Sequence, residues 1–106
     1  MSKVYIVDID NTICKTENSD YSNSQPMFDR IDKINKLYEQ GHKIIYWTAR
    51  GGNTGIDWTD KTHSQLAAWG CKYDEIRMNK PSYDVWLDDK ALNSEDFFDE
   101  NSVDWA

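Results

Sequence analysis

Two pairs of acidic residues stand where apolar runs of the sequence end. Asp8 and Asp10 lie at the end of the first run, and Asp88 and Asp89 directly follow the last one. If the two runs are neighbouring strands, the four carboxylates meet at one edge. Two charges about 4 Å apart then repel by roughly 4 kcal/mol at an effective dielectric constant of 20, so the cluster needs protons or a cation. Oxygen ligands that leave room for water and phosphate favour Mg²⁺ over Ca²⁺, and we expect a Mg²⁺ site formed by these four residues.

Three further polar residues follow other apolar runs. Thr48 supplies a hydroxyl donor and Lys80 supplies a positive charge. Arg50 is either a ligand for a substrate phosphate or sugar carboxylate, or a solvated loop residue. A carboxylate nucleophile, a second carboxylate that moves a proton, donors for the phosphoryl oxygens and a metal ion are the parts that phosphoryl transfer requires.

Strands and helices are predicted to alternate along the chain. The predicted strands are Lys3–Ile9, Lys43–Trp47, Tyr73–Met78 and Tyr83–Leu87. The predicted helices run from Pro26 to Gly41, from a cap at Asp57 or Thr59 to Gly70, and from Ser94 through Phe98. This alternation is typical of an α/β protein with a single small, doubly wound (Rossmann-like) parallel sheet. Ligands of such sheets bind beyond the carboxyl ends of the strands, which is where the polar residues lie.

Length and charge narrow the possible functions. The 106 residues suffice for one domain, 1–106, and the 12 basic and 19 acidic residues give a net charge of −7. This charge argues against a nucleic-acid partner. The first apolar run reaches Asp8 too soon for a membrane span or a signal peptide, so we expect a cytoplasmic protein without a membrane partner. Cys14 and Cys71 are expected to be free thiols, and homo-oligomer formation stays open.

The ordered motifs resemble those of the haloacid dehalogenase (HAD) superfamily of phosphohydrolases. Asp8–Thr12 is similar to its first motif, Thr48 to its second, Lys80 to its third, and Asp88-Asp89 to its fourth. Asn11 stands where the family usually has Gly, and Asn tolerates the positive φ that this turn requires.

The resemblance implies a role for each of these residues. Asp8 would attack phosphorus and form an aspartyl-phosphate, while Asp10 would protonate the leaving oxygen and then activate water. Thr48 and Lys80 would hold the phosphoryl oxygens. The resemblance places Mg²⁺ on the Asp10 carbonyl and Asp88, with Asp89 on the ion or one layer further out.

The spacing of the motifs points to the capless members of that family. One loop and one helix fill the interval between Asp10 and Thr48, and the same is true between Thr48 and Lys80, so neither holds a cap domain. The stretches 54–59 and 88–97 are similar to short phosphatases of capsule and surface-polysaccharide biosynthesis. The expected function is hydrolysis of a phosphomonoester, with a sugar phosphate or similar small metabolite favoured and a nucleotide or polynucleotide 3′-phosphate left open.

Two functions of other classes compete with this one. A phospho-accepting receiver domain uses similar residues, but it places an acidic pair first and its lone phosphorylated Asp later. A non-catalytic binding module would have no need for four crowded carboxylates. The order of Asp8, Asp10, Asp88 and Asp89 favours the phosphatase.

Overall fold

The computed structural model describes residues 2–52 and 55–99 of the chain. Its strands are β1 (Val4–Val7), β2 (Cys14–Lys15), β3 (Gln25–Pro26), β4 (Lys43–Trp47) and β5 (Glu75–Arg77). Its α-helices are α1 (Phe28–Glu39), α2 (Thr59–Ala68) and α3 (Ser94–Phe97), and a 3₁₀ turn spans Tyr21–Asn23. The sequence also predicts a mobile glycine-rich loop at Gly51–Gly55 and a partly loose acidic tail. Residues 53–54 of that loop and residues 100–106 of the tail lie outside the described residues.

The main sheet is parallel, with strand order β1-β4-β5. Ile6 of β1 pairs with Ile45 of β4, and Tyr46 of β4 pairs with Ile76 of β5. The central strand β4 has the predicted bounds because its apolar residues can be buried on both faces, as a central parallel strand requires. The predicted α/β class with a single parallel sheet is confirmed.

The helices pack on one face of this sheet. The buried side of α1 consists of Ile31, Ile34 and Leu37, and it shares one apolar cluster with Leu66 of α2 and Tyr46 of β4. Both crossovers move along the sheet in the same direction, so right-handed connections place α1 and α2 on the same face. Complete burial of a leucine such as Leu66 contributes roughly 1.5–3 kcal/mol.

The predicted fourth strand, Tyr83–Leu87, is wrong: these residues form no strand in the structure. Val85 and Leu87 are 72% and 89% exposed. An alternating apolar pattern becomes a strand only when a neighbouring edge pairs with it. Here aromatic contacts hold the segment instead, since the Trp86 ring lies 6.3 Å from the ring of Trp47 and 5.0 Å from that of Tyr83.

Smaller differences concern the helix caps. The predicted cap of the last helix is Ser94, but the capping side chain belongs to Asn93, whose Oδ1 accepts from the amide of Glu95 at 2.9 Å. At the start of α2 the N-cap position is Trp58, which is neither of the two predicted caps, and it makes no capping side-chain hydrogen bond. Asp57, one residue earlier, still accepts from the amide of Thr59 at 2.9 Å through its Oδ1.

The structure also shows the state of the two cysteines and the character of the helices. Both Cys14 and Cys71 are free thiols. Within the described part of the chain, no helix combines the length and the apolar character needed to cross a bilayer.

Candidate active site

A tight turn after β1 places two carboxylates in one cavity. The amides of Thr12 and Ile13 both donate to the carbonyl of Ile9, at 3.1 and 3.0 Å. Asn11 has φ +62°, so the left-handed conformation expected at this position is confirmed. The chain thus reverses immediately after β1, and both Asp8 and Asp10 line the cavity above the turn.

Asp8 is a partly dehydrated carboxylate with a cation beside it. Its Oδ1 lies 3.6 Å from the Lys80 ammonium, and its Oδ2 accepts from the Thr12 hydroxyl at 3.3 Å. Burial raises the pKa of Asp8, the positive charge of Lys80 acts in the opposite direction, and the charge of Asp10 adds to the rise. The side chain stays 39% exposed, so a ligand in the cavity can reach a carboxylate that has lost part of its hydration.

Lys80 is positioned by the end of the central strand. Its amide donates to the carbonyl of Thr48 at 3.0 Å, which attaches the loop after β5 to the end of β4. The ammonium lies 5.3 Å from the ring centroid of Tyr83 and 5.6 Å from that of Trp86. Both distances are within the range of a cation–π contact, so the lysine is fixed at the cavity wall by its main chain, by Asp8 and by two rings.

Asp10 faces a buried arginine. Arg50 Nε donates to Asp10 Oδ2 at 3.0 Å, and Arg50 Nη2 donates to Asp10 Oδ1 at 2.8 Å. The Arg50 side chain has no exposed surface, while that of Asp10 is 20% exposed. This paired geometry is the strongest form of an ion pair in proteins, and it fixes the plane of the Asp10 carboxylate.

Further contacts connect Arg50 to α2 and to the segment between β2 and β3. Its Nη1 donates to Thr62 Oγ1 at 3.2 Å and to Gln65 Oε1 at 2.5 Å. Gln65 Nε2 in turn donates to the carbonyl of Tyr21 at 2.6 Å, and the Tyr21 ring lies 4.9 Å from the guanidinium carbon. One side chain therefore joins β1, the end of β4, α2 and the 3₁₀ turn.

The cavity above these groups has a volume of about 580 Å³. Its lining is mainly polar and consists of Asp8, Asp10, Asn11, Thr16, Asn18, Ser19, Tyr21, Ala49, Arg50, Lys80, Pro81, Ser82 and Tyr83. Amide and hydroxyl groups surround a floor that holds two carboxylates and a lysine, so the cavity can accept a small polar molecule with a charged end.

The structure brings only part of the predicted site together. Asp8, Asp10, Arg50 and Lys80 line the same cavity. Thr48 is 1% exposed and does not line it; its hydroxyl accepts from the amide of Arg50 at 3.2 Å. Arg50 is not the solvated loop residue that one interpretation of the sequence predicted, because it is 2% exposed.

Asp88 and Asp89 lie away from the cavity, in the exposed segment after residue 81. Asp88 Oδ1 accepts from the amide of Lys90 at 2.7 Å, and this local hydrogen bond lowers the pKa of Asp88. The predicted fourth strand would have carried this pair toward β1. That strand does not form, and neither Asp88 nor Asp89 lines the cavity that holds Asp8 and Asp10.

The described residues offer few carboxylates to a magnesium ion. Across residues 2–52 and 55–99 no group of three Asp, Glu, His or Cys side chains is placed to hold a metal. Asp8 has one lysine beside it, and both oxygens of Asp10 accept from Arg50. Of the two carboxylates in the cavity, only that of Asp8 is not paired with Arg50. Mg²⁺ is usually held by one or two carboxylates and completes its shell with water and substrate phosphates, so Asp8 would be its main carboxylate ligand here.

Sequence reasoning missed the polar layer around Asp10. Thr16 Oγ1 donates to Asp10 Oδ1 at 2.6 Å, and the hydroxyls of Thr16 and Ser24 lie 2.6 Å apart. Thr62 and Gln65 complete this layer from α2. Ser and Thr in a loop or a helix are common and carry no spacing signal, so only contacts between distant segments identify them.

Comparison with known proteins supports the fold. No family model and no curated protein matches the chain. The crystal structure of an MCSG target from Vibrio cholerae is similar to it, with 29% sequence identity over 95% of this chain and 90% of that chain and a TM-score of 0.80. The name of that protein gives no activity, so the likeness supports the α/β architecture over nearly the whole chain and leaves the chemistry to be argued from the site.

Proposed function

We propose that this protein is a phosphomonoester hydrolase that acts through an aspartyl-phosphate on Asp8, with Mg²⁺ as its cofactor. The observation that supports the proposal most is the position of Asp8 at the end of β1, on a 580 Å³ cavity, with the Lys80 ammonium 3.6 Å from Oδ1. A carboxylate next to a cation can attack a phosphoryl group whose oxygens that same cation neutralises.

The reaction has two steps that use the same pair of carboxylates. An Asp8 oxygen bonds to phosphorus while the bond from phosphorus to the leaving oxygen breaks, and that oxygen takes a proton from the protonated Asp10 carboxyl. Water then attacks the phosphoryl group while Asp10 takes a proton from it, and the bond from Asp8 to phosphorus breaks. Inorganic phosphate leaves, and both carboxyl groups return to their starting state.

Lys80 serves the phosphoryl oxygens. The ammonium carries the charge that a phosphoryl group requires, and its contacts with Asp8, Tyr83 and Trp86 limit its motion. Such fixed donors stabilise charge in the transition state without reorganising. The resemblance also assigns Thr48 to this role, although Thr48 is buried and does not line the cavity.

The metal part of the proposal requires Asp88 and Asp89 to approach Asp8. β1 is at the end of the sheet order, and its Val4 and Ile6 are 62% and 58% exposed. Val85 and Leu87 of the exposed segment are apolar at the same alternate spacing. We infer that the end of this segment moves toward the outer edge of β1 when the metal site forms, which would bring Asp88 and Asp89 toward Asp8. Mg²⁺ would then neutralise charge on the phosphoryl group.

The cavity favours a small polar substrate. Asn11, Asn18, Ser19 and Ser82 present amide and hydroxyl groups that can bind the hydroxyls of a sugar, and Tyr21 and Tyr83 present rings that can pack against it. The net charge of −7 opposes a long polyanion. A sugar phosphate or a similar metabolite is therefore the proposed substrate class, with nucleotide 3′-phosphates next.

The test is release of inorganic phosphate from a panel of sugar phosphates, nucleotides and an aryl phosphate, with Mg²⁺ and with a chelator. We expect metal-dependent release that Asp8→Asn abolishes, because an amide cannot form the acyl-phosphate. Asp32→Asn is the matched control, since Asp32 is exposed on α1 and its replacement should leave the rate unchanged.

Two results would contradict the proposal. Full turnover by Asp8→Asn would remove Asp8 as the nucleophile. Stable labelling of Asp8 by acetyl phosphate, with no phosphate released from any substrate, would favour the receiver domain instead. Mass spectrometry of the labelled chain separates that second result from simple inactivity.

A further inference from the structure

The hydrogen bonds of Arg50 and Asp10 assign the arginine a role different from phosphate binding. We propose that Arg50 is a positioning residue, which holds the Asp10 carboxylate in one orientation and leaves its Oδ2 as the oxygen that carries the transferred proton. This inference rests on the proposed function, because it takes Asp10 as the group that moves protons in the cavity.

Every donor of Arg50 is already used inside the protein. A guanidinium has five N–H groups. They point to Asp10 Oδ2, Asp10 Oδ1, Ser24 Oγ, Thr62 Oγ1 and Gln65 Oε1, at 3.0, 2.8, 3.5, 3.2 and 2.5 Å. A phosphate could bind Arg50 only by displacing one of these acceptors. The side chain also has no exposed surface through which a ligand could reach it.

The hydroxyls of Ser24 and Thr16 complete a closed ring of hydrogen bonds. Because Arg50 can only donate, Ser24 accepts from it, and the Ser24 hydroxyl is then free to donate to Thr16, 2.6 Å away. The Thr16 hydroxyl in turn donates to Asp10 Oδ1 at 2.6 Å. In this assignment every hydrogen of the ring has an acceptor, and Asp10 accepts throughout.

The two oxygens of Asp10 are consequently unequal. Oδ1 accepts from Arg50 and Thr16, and the thiol of Cys14 approaches it at 3.7 Å. Oδ2 accepts from Arg50 Nε alone among the described residues. A proton on Oδ1 would break the ring, whereas Oδ2 keeps a lone pair that can take a proton from water or return one to a leaving oxygen.

The first experiment follows the Arg50 Nε–H group by NMR in the ¹⁵N-labelled protein. Titration with inorganic phosphate should move the Lys80 ammonium signal and leave the Arg50 Nε–H signal in place. Asp10→Asn should shift the Arg50 signal and speed its exchange with solvent. The Nε–H of Arg77, which is 53% exposed, is the control for an accessible arginine.

These two spectra decide the inference even if the protein hydrolyses nothing. An Arg50 signal that shifts with phosphate along the same binding curve as Lys80 would make it a phosphate ligand. An Arg50 signal that Asp10→Asn leaves unchanged would show that the pair does not form. Either result overturns the inference, while the absence of turnover on every substrate would overturn the proposed function alone.

The second experiment compares the kinetics of Arg50→Gln with those of Arg77→Gln. Misplacement of a catalytic group can cost about 10²-fold, so kcat of Arg50→Gln should fall by about that factor on a sugar phosphate with KM nearly unchanged. The fall in kcat should be small on a nitrophenyl phosphate, because its leaving group needs little protonation. When Arg50→Gln is added to Asp10→Asn, kcat should not fall further than in Asp10→Asn alone. Arg77→Gln should match the unmodified protein.

A rise in KM with kcat preserved, equal for all leaving groups, would overturn the positioning role. Arg50→Lys keeps the charge but lacks the paired geometry, so it should resemble Arg50→Gln. If neither variant folds, the spectra of the unmodified protein decide between the two roles.

Discussion

The two acidic pairs of this protein have similar positions in the sequence and different surroundings in the structure. Asp8 and Asp10 follow one apolar run, and Asp88 and Asp89 follow another. The first pair lies at the end of a paired strand, with a lysine and a buried arginine opposite it. The second lies in an exposed segment where Asp88 bonds to the amide of Lys90, two residues away.

The two pairs differ in how far along the sequence their bonding partners lie. Arg50 is 40 residues from Asp10, and it becomes a neighbour because β4 pairs with β1. The segment that carries Asp88 pairs with no strand, so its polar groups bond locally. An acidic pair acquires a specific chemical environment only when long-range pairing supplies the other charges.

The largest expected difference between the two acidic pairs is the loss of stability when one aspartate of each is replaced. Asp10→Ala leaves the Arg50 charge buried without its partner, and breaking a buried pair in this way costs about 3 kcal/mol. Asp88→Ala, the matched change in the exposed segment, should alter the free energy of unfolding by less than about 0.5 kcal/mol. Urea denaturation of both variants gives the two values.

Equal losses for the two variants would contradict the comparison. They would mean that Asp88 is as well packed as Asp10, or that water reaches Arg50. The slope of ΔG against urea concentration reports the surface that unfolding exposes. An unchanged slope would show that the loss of stability does not come from a change in the unfolded state.

A smaller effect tests whether the exposed pair joins the site. The double change Asp88→Asn with Asp89→Asn should leave the metal-free protein as stable as before. It should weaken the apparent Mg²⁺ affinity by at least about 10–100-fold, the range found when groups that support the metal ligands are removed. Rates measured against Mg²⁺ concentration give the apparent affinity.

Asp84→Asn is the control for this change, because Asp84 is exposed in the same segment. An unchanged Mg²⁺ dependence in the double variant would show that the two regions stay separate in the working protein. The cation would then have to bind without Asp88 and Asp89.

The smallest effect concerns Asp8 and pH. Burial raises the pKa of Asp8, so its ionised form opposes folding; this cost is absent below the unfolded pKa of about 3.8 and complete above the folded value. Asp8→Asn should therefore be slightly more stable than the unmodified protein at pH 7, by less than about 1 kcal/mol because solvent screens a side chain that is 39% exposed. The gain should shrink as the pH falls toward 3.5.

Unfolding curves at pH 7 and pH 3.5 measure this difference, with Asp32→Asn as the exposed control. A loss of stability at pH 7 would mean that the ion pair with Lys80 outweighs the dehydration of Asp8. The Asp8 carboxylate would then stabilise the fold, as we predict for Asp10.

Local sequence patterns were sufficient to predict some secondary-structure elements and insufficient to predict others. The bounds of β4, the apolar side of α1 and the left-handed turn at Asn11 were predictable, because each depends on the chemistry of adjacent residues. Tyr83–Leu87 has an equally good strand pattern and forms no strand. The same pattern thus has two outcomes, depending on whether an edge is available for pairing.

For the candidate site, the sequence by itself determined which polar residues follow the strands. These are Asp8, Asp10, Thr48 and Lys80, and their position at the strand ends does not depend on their tertiary contacts. The tertiary structure alone decided that Thr48 is buried, that Arg50 pairs with Asp10 and that Asp88 stays outside. It also placed Thr16, Ser24, Thr62 and Gln65 around the Asp10–Arg50 ion pair. The physical reason is that strand ends follow from local composition, whereas hydrogen bonds and ion pairs join residues that only the packing of the whole chain makes neighbours.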